Sequence, residues 1–149
     1  MRSSIANGAE GGRLPPDVET TVLIVEEDPG DLNYYASVLR RNGYLVRTCG
    51  SYDESKRLLK PGAYGLVVVG QGTHRFESRT VIEHSKEVDW DLPVLVVARY
   101  LEMHCYIEAI QMGAEDYLAG PLSESEILRA VSKYVQPWRP TGPATAGSA

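Results

Sequence analysis

The stretch YGLVVVGQGTH, residues 64–74, holds the pattern on which the fold turns. Leu66, Val67, Val68 and Val69 form an unbroken apolar run rich in β-branched residues, as expected of a strand covered on both faces. The run then ends in Gly70, Gln71 and Gly72. In open α/β sheets, ligands and chemistry gather at the carboxyl ends of the strands. A glycine at such an end brings no side chain to do any chemistry.

The same kind of run recurs on either side. TVLIVE (21–26), YLVRTC (44–49), LPVLVVA (92–98) and EDYLA (115–119) read as four further strands. Helices are expected between them. In the segment from Asp28 to Gly43, Asp28 suits the N-cap, Pro29 the first helical position and Gly43 the stop, with Leu32, Tyr35, Ala36 and Leu39 on one face. Ser51 and Glu54 read as a capping box closed off by Pro61-Gly62, and RFESRTVIEHSKEV (75–88) is a weaker helix. YLEMHCYIEAIQMG (100–113) places Met103, Tyr106, Ile107 and Ile110 on one face, and Ser123 with Glu126 opens the last helix, SESEILRAVSKYVQ. Five β-α units with apolar strands imply an α/β fold: a doubly wound, five-stranded parallel sheet with helices on both sides.

Composition narrows the setting. Of 149 residues, 43% are apolar and 23% charged, and the formal charge is −5, so no general attraction to nucleic acid or anionic lipid is expected. No apolar run approaches the roughly 18 residues that would span a membrane, and the N-terminus has no secretory apolar core. Cys49 and Cys105 lack CxxC spacing and read as reduced, partly buried small hydrophobes of a cytoplasmic protein. Residues 1–19 and 137–149 are expected to be disordered tails around a domain at 20–136, with Trp138 a last contact on the domain. No helix-turn-helix follows residue 136, so a stand-alone module with its output in another chain is expected.

LIVEED (23–28), LPVLVVA and above all GAEDYLAGP (113–121) resemble the receiver domain of two-component response regulators, over about residues 20–136. The resemblance implies the flavodoxin-like (βα)5 fold and a phosphorelay setting. Family members phosphorylate an aspartate at the end of the third strand. Two acids after the first strand hold Mg²⁺ with it, a Thr or Ser ends the fourth strand, and a Lys precedes a proline after the fifth. On this chain the acid pair falls on Glu26 and Glu27, the aspartate on Gly70, the hydroxyl on Ala98 and the lysine on Gly120. The resemblance therefore implies a degenerate pseudo-receiver without nucleophile, hydroxyl or lysine. Its site charge is unchanged at −2, because one acid and one lysine disappear together.

Two carboxylates about 4 Å apart repel by about 4 kcal/mol at an effective dielectric of about 20. Glu26 and Glu27 are therefore expected to splay into water, ahead of sharing a proton or drawing in Arg75 or Arg99. Without a third acid they make a poor hard-cation site, so no resident metal or other cofactor is expected, and weak Mg²⁺ binding at most. His74, His84 and His104 show no ligand spacing and default to the surface. The family's output surface, built from the fourth helix, fifth strand and fifth helix, is expected to present Glu102, Tyr106, Glu115, Tyr117, Ala119 and Lys133. A partner signalling protein, or a second copy in a homodimer, would bind there. Three functions compete: a module working by protein contact without phosphorylation, a conventional phosphoaccepting regulator, and a small-molecule-binding flavodoxin-like domain. An enzyme is not expected, because the strand ends offer no nucleophile or base.

Overall fold

A computed structural model describes residues 20–138. The expectations for 1–19 and 139–149 lie outside the described residues. Five strands, β1 (Thr21–Val25), β2 (Leu45–Cys49), β3 (Leu66–Gln71), β4 (Val94–Ala98) and β5 (Asp116–Ala119), form one sheet in the order β2-β1-β3-β4-β5, every pair parallel. They alternate with α1 (Pro29–Arg41), α2 (Tyr52–Leu58), α3 (Arg79–Val88), α4 (Met103–Gln111) and α5 (Glu124–Ser132). This is the expected doubly wound, flavodoxin-like order, whose strand sequence reverses at the β1/β3 boundary. No helix among the described residues is long and apolar enough to cross a membrane.

Strand periodicity divides the interior in two. Val22, Ile24, Leu66, Val68, Leu95 and Val97 point to the layer covered by α1 and α5, where Tyr35, Leu39, Ile127 and Val131 pack. Leu23, Val25, Val67, Val69, Val94 and Val96 point to the opposite layer, with Ile82, Cys105 and Ala109 from α3 and α4. Both cysteines are free and buried. The edge strand β2 exposes Arg47 and Thr48, so the both-faces-apolar rule holds for the central strands and not for the border.

The three expected N-caps form, one of them without its reciprocal half. Asp28 accepts from the Asp31 N–H at 2.9 Å, and Ser123 with Glu126 forms the full reciprocal box. Ser51 accepts from the Glu54 N–H, but the Glu54 carboxylate turns to Arg57 instead of closing its box. Pro137 and Trp138, assigned to the tail from sequence, lie half-buried on the domain, where the Trp138 N–H donates to the Gly43 carbonyl at 3.0 Å.

Most of the apolar face of α4 turns outward, with Tyr106 alone of the four packing on the core. Cys105 and Ala109 are fully buried, while Met103, Ile107 and Ile110 are 57%, 47% and 38% exposed. The small residues let the helix backbone lie close to the sheet, and the larger ones are turned outward. Replacing Ala109 by Leu is expected to destabilise the fold by about 1–3 kcal/mol through overpacking, whereas Ile107→Ala should stay within about 0.5 kcal/mol. Urea unfolding of the two variants checks the assignment.

Candidate functional site

The carboxyl ends of β1, β3, β4 and β5 converge on one cavity of about 190 Å³, lined among others by Glu26, Tyr35, Ala98, Arg99, Gly120 and Leu122. Register places the strand ends side by side, Gly70 opposite Val97, Gln71 opposite Ala98 and Ala98 opposite Ala119. The positions that the family resemblance singled out are thus gathered at one end of the sheet.

Glu26 and Glu27 part company. Glu27 is exposed, as expected, but Glu26 turns inward and is only 5% exposed. Its carboxylate fills the space beside Gly70: a Cβ built on Gly70 would fall 1.7 Å from Glu26 Oε1 and 2.5 Å from its carboxyl carbon. Only a residue without a side chain leaves that room. The Glu26 Oε2 accepts from the Asp28 N–H at 2.9 Å, which favours its charge, but burial outweighs this and pushes the carboxyl above its ordinary range. Splaying therefore describes Glu27 alone, which stays in water while Glu26 turns inward.

Arg99 leans in, though not onto the glutamates. It donates to Asp31 at 2.6 Å and lies 3.7 Å from Asp28, so a guanidinium at the end of β4 is tied to the first turn of α1. Asp31 and Arg99 were not singled out from sequence as a pair. The signal was present: Asp31 is one helical turn from the Asp28 cap, and Arg99 is the first charge after a strand apolar throughout.

Gln71 explains what β3 ends on. It is fully buried, and its side-chain carbonyl accepts from the Ser78 N–H and hydroxyl at 3.0 and 2.7 Å, while its amide donates to the Thr73 carbonyl and the Glu77 carboxylate. One side chain thus satisfies the turn into α3. Ser78, already committed to Gln71, makes no side-chain cap, and α3 begins four residues later than its sequence pattern implies. Tyr52 closes the other flank, its hydroxyl donating to the Gly70 carbonyl at 2.7 Å; burial raises its pKa.

On the outward side, Tyr117 is not on show. It is buried, edge-on to Tyr106 with ring centres 5.8 Å apart, and its hydroxyl has no hydrogen-bond partner among the described residues. Burial, aided by the nearby Cys105 and Glu102, lifts that hydroxyl to about 12. Tyr106 and Glu102 are half-buried, and Glu115, Ala119 and Lys133 are exposed. The exposed apolar residues next to them, Leu101, Met103, Ile107 and Ile110, were not singled out from sequence as part of this surface. His74 and His104 are exposed; both face Glu102, and His74 stacks on Tyr100.

The Mg²⁺ that the family resemblance implies does not fit these residues. Glu26 is turned to Gly70, Glu27 points into solvent, Asp31 is engaged by Arg99, and Gly70 supplies no third carboxylate. No group of three or more acidic, histidine or cysteine side chains among the described residues is arranged to hold a metal ion.

Because the buried Glu26 holds its proton to higher pH than an unfolded carboxyl, its burial costs nothing below the ordinary value near 4.5 and destabilises as pH rises through the raised value. The stability of Glu26→Gln relative to the parent is therefore expected to improve from pH 4 to pH 8, read by urea midpoints across that range. Gly70→Ala should displace the flexible Glu26 carboxylate into water, and the displaced carboxyl should titrate nearer the ordinary value by carbon-detected NMR.

The family model for the response regulator receiver domain matches residues 22–132. The Two-component response regulator ARR11 of Arabidopsis thaliana is 31% identical over 108 residues, covering 71% of this chain and 20% of that protein. The Photosynthetic apparatus regulatory protein RegA of Cereibacter sphaeroides is 24% identical over 113 residues, covering 76% of this chain and 61% of that one. The chain thus spans from a fifth to about three fifths of these curated relatives. Among solved structures, a CheY-like receiver domain protein from Methanospirillum hungatei superposes with a TM-score of 0.70 at 17% identity, covering 77% of this chain and 92% of that one. The non-phosphorylated HemR receiver domain from Leptospira biflexa gives 0.68 at 22% identity, covering 81% and 100%. With the family model spanning most of the chain and the same fold in these structures, the chain belongs to the response regulator receiver domain family.

Proposed function

We propose that this receiver domain signals through protein contacts without accepting a phosphoryl group. The supporting observation is the pairing of Gly70 with Glu26: the strand end where the family resemblance puts the nucleophile carries no side chain, and a second residue's carboxylate occupies the room such a side chain needs. Ala98 and Gly120 add neither hydroxyl nor ammonium to hold a phosphoryl group. Glu26 is no replacement nucleophile, because its carboxylate is buried against Gly70 with no metal-holding group around it among the described residues.

The contact surface in this reading is the outward side of α4. Leu101, Met103, Ile107 and Ile110 form an exposed apolar patch beside Glu102 and Glu108, and Arg129 on α5 with Lys133 at its C-cap are exposed cations. An apolar centre with charge of both signs around it suits a protein partner. A second copy of the chain is the first partner to test, since acids on α4 and bases on α5 can meet across a two-fold axis. The NtrC4 receiver domain, similar to this chain at 21% identity and a TM-score of 0.67, is described in its beryllofluoride-activated form as a dimer.

Incubation with acetyl phosphate and Mg²⁺, followed by intact mass, should show no phosphoryl adduct; one adduct at high occupancy would sink the proposal. Gly70→Asp alone should stay unreactive, and Gly70→Asp with Ala98→Thr and Gly120→Lys should gain an adduct. Sedimentation should find a concentration-dependent dimer that Met103→Asp with Ile107→Asp converts to monomer. A parent that sediments as a monomer at every concentration would remove the second copy from this reading and leave the phosphorylation result standing.

A further inference from the structure

The cavity at the strand ends has an unusual electrostatic imbalance. Of its carboxylates, Asp31 is neutralised by Arg99 at 2.6 Å, but Glu26 has no cation within ion-pair distance among the described residues. Glu26 is about nineteen-twentieths buried, and it receives one hydrogen bond, from the Asp28 N–H to Oε2. Its Oε1 takes none from the described residues. Among the described residues the sealed side-chain atoms without a partner are those of Ser85 and Tyr117, so this free acceptor of Glu26 remains reachable. The rest of the wall is largely apolar: Val97, Ala98, Pro121, Leu122 and the ring of Tyr35. The Tyr35 hydroxyl also has no hydrogen bond among the described residues.

We propose that this cavity binds a small organic monocation, a primary ammonium on a compact apolar body, with the ammonium donating to Glu26 Oε1. Each part of the ligand answers a feature of the site. The ammonium supplies the donor and the counter-charge that Glu26 lacks, and a charge-assisted hydrogen bond is the strong kind. The aromatic ring of Tyr35 offers a second attraction for the cation. The apolar body fills the room beside Ala98 and Gly120, where no side chain reaches in. The volume sets the size: about 190 Å³ exceeds the roughly 150 Å³ that accommodates a benzene-sized guest, leaving space for one added ammonium group. A hydrated divalent cation is a worse match, because it needs several carboxylates and this cavity has one that is unpaired.

The proposal goes beyond the phosphorylation-independent reading by giving the site an input, and it stands whether or not α4 contacts a second copy.

The test is an NMR titration of the full chain with benzylammonium chloride at pH 7.5, with benzyl alcohol as the neutral isostere and MgCl₂ as the metal arm. The expected result is saturable binding of benzylammonium, with shifts at Tyr35, Ala98, Gly120 and Leu122, and affinity at least about tenfold weaker in Glu26→Gln. Benzyl alcohol should bind more weakly and be insensitive to that change. Gly120→Leu is the second variant, because an added Cβ meets only the Ala98 carbonyl, the Leu122 nitrogen and the Tyr35 hydroxyl at 3.6–3.8 Å, while the longer side chain fills the cavity. It should abolish binding with Glu26 intact, and it decides the matter if Glu26→Gln does not fold. No saturable shift up to about 10 mM, equal affinity in Glu26→Gln, undiminished binding in Gly120→Leu, or Mg²⁺ producing the same shifts at micromolar concentration would each overturn the proposal.

Discussion

The Glu26 carboxylate lying in the space beside Gly70 organises this end of the molecule. Two residues on neighbouring central strands share one side chain's worth of room, and each makes the other's identity intelligible. With any side chain at Gly70, the glutamate must leave; with the glutamate in place, position 70 must be glycine. The consequences run outward. Glu27 is free to stay in water, Asp28 gives its N–H to Glu26 and its carboxylate to the α1 cap, and Arg99 is left to neutralise Asp31. The strand end that looks vacant in sequence is filled from next door.

Much of the fold was legible because it rests on patterns that sequence carries directly. Valine-rich runs separated by capped amphipathic segments give parallel strands and crossover helices, and the observed strand order is the one that short right-handed connections favour. The mistakes came where hydrophobicity and burial separate. On α4 the large apolar residues form a stripe at helical spacing, yet the helix buries Cys105 and Ala109. Periodicity identifies an apolar stripe but not whether it faces the sheet or solvent; side-chain volume against the available gap decides that. Gln71 is the converse, a polar residue inside because its amide satisfies both donors and acceptors of one turn.

The site was legible as a set of positions and illegible as an arrangement. Motif spacing brought Glu26, Gly70, Ala98 and Gly120 to one end of the sheet, and the fold keeps them there. What spacing does not carry is side-chain direction. A glutamate one methylene longer than aspartate can reach across to the next strand, and that reach turns a missing side chain into a packing relation with a buried charge. Tyr117 shows the same limit: its position on β5 was plain, but its inward ring and contact with Tyr106 depend on the room under α4.

Arg99 gives this arrangement a sensitivity to its surroundings. The segment leading into α4 is moored to α1 by a half-exposed ion pair with Asp31, and pairs of that kind contribute about 0.2–1 kcal/mol. Such a mooring favours the tied form over the loose one by a factor of only about 1.4 to 5. Salt weakens it further, since charges in water are screened over about 8 Å at physiological ionic strength. The loop before the apolar face of α4 thus responds to the ionic strength of the medium as a tether of adjustable slack.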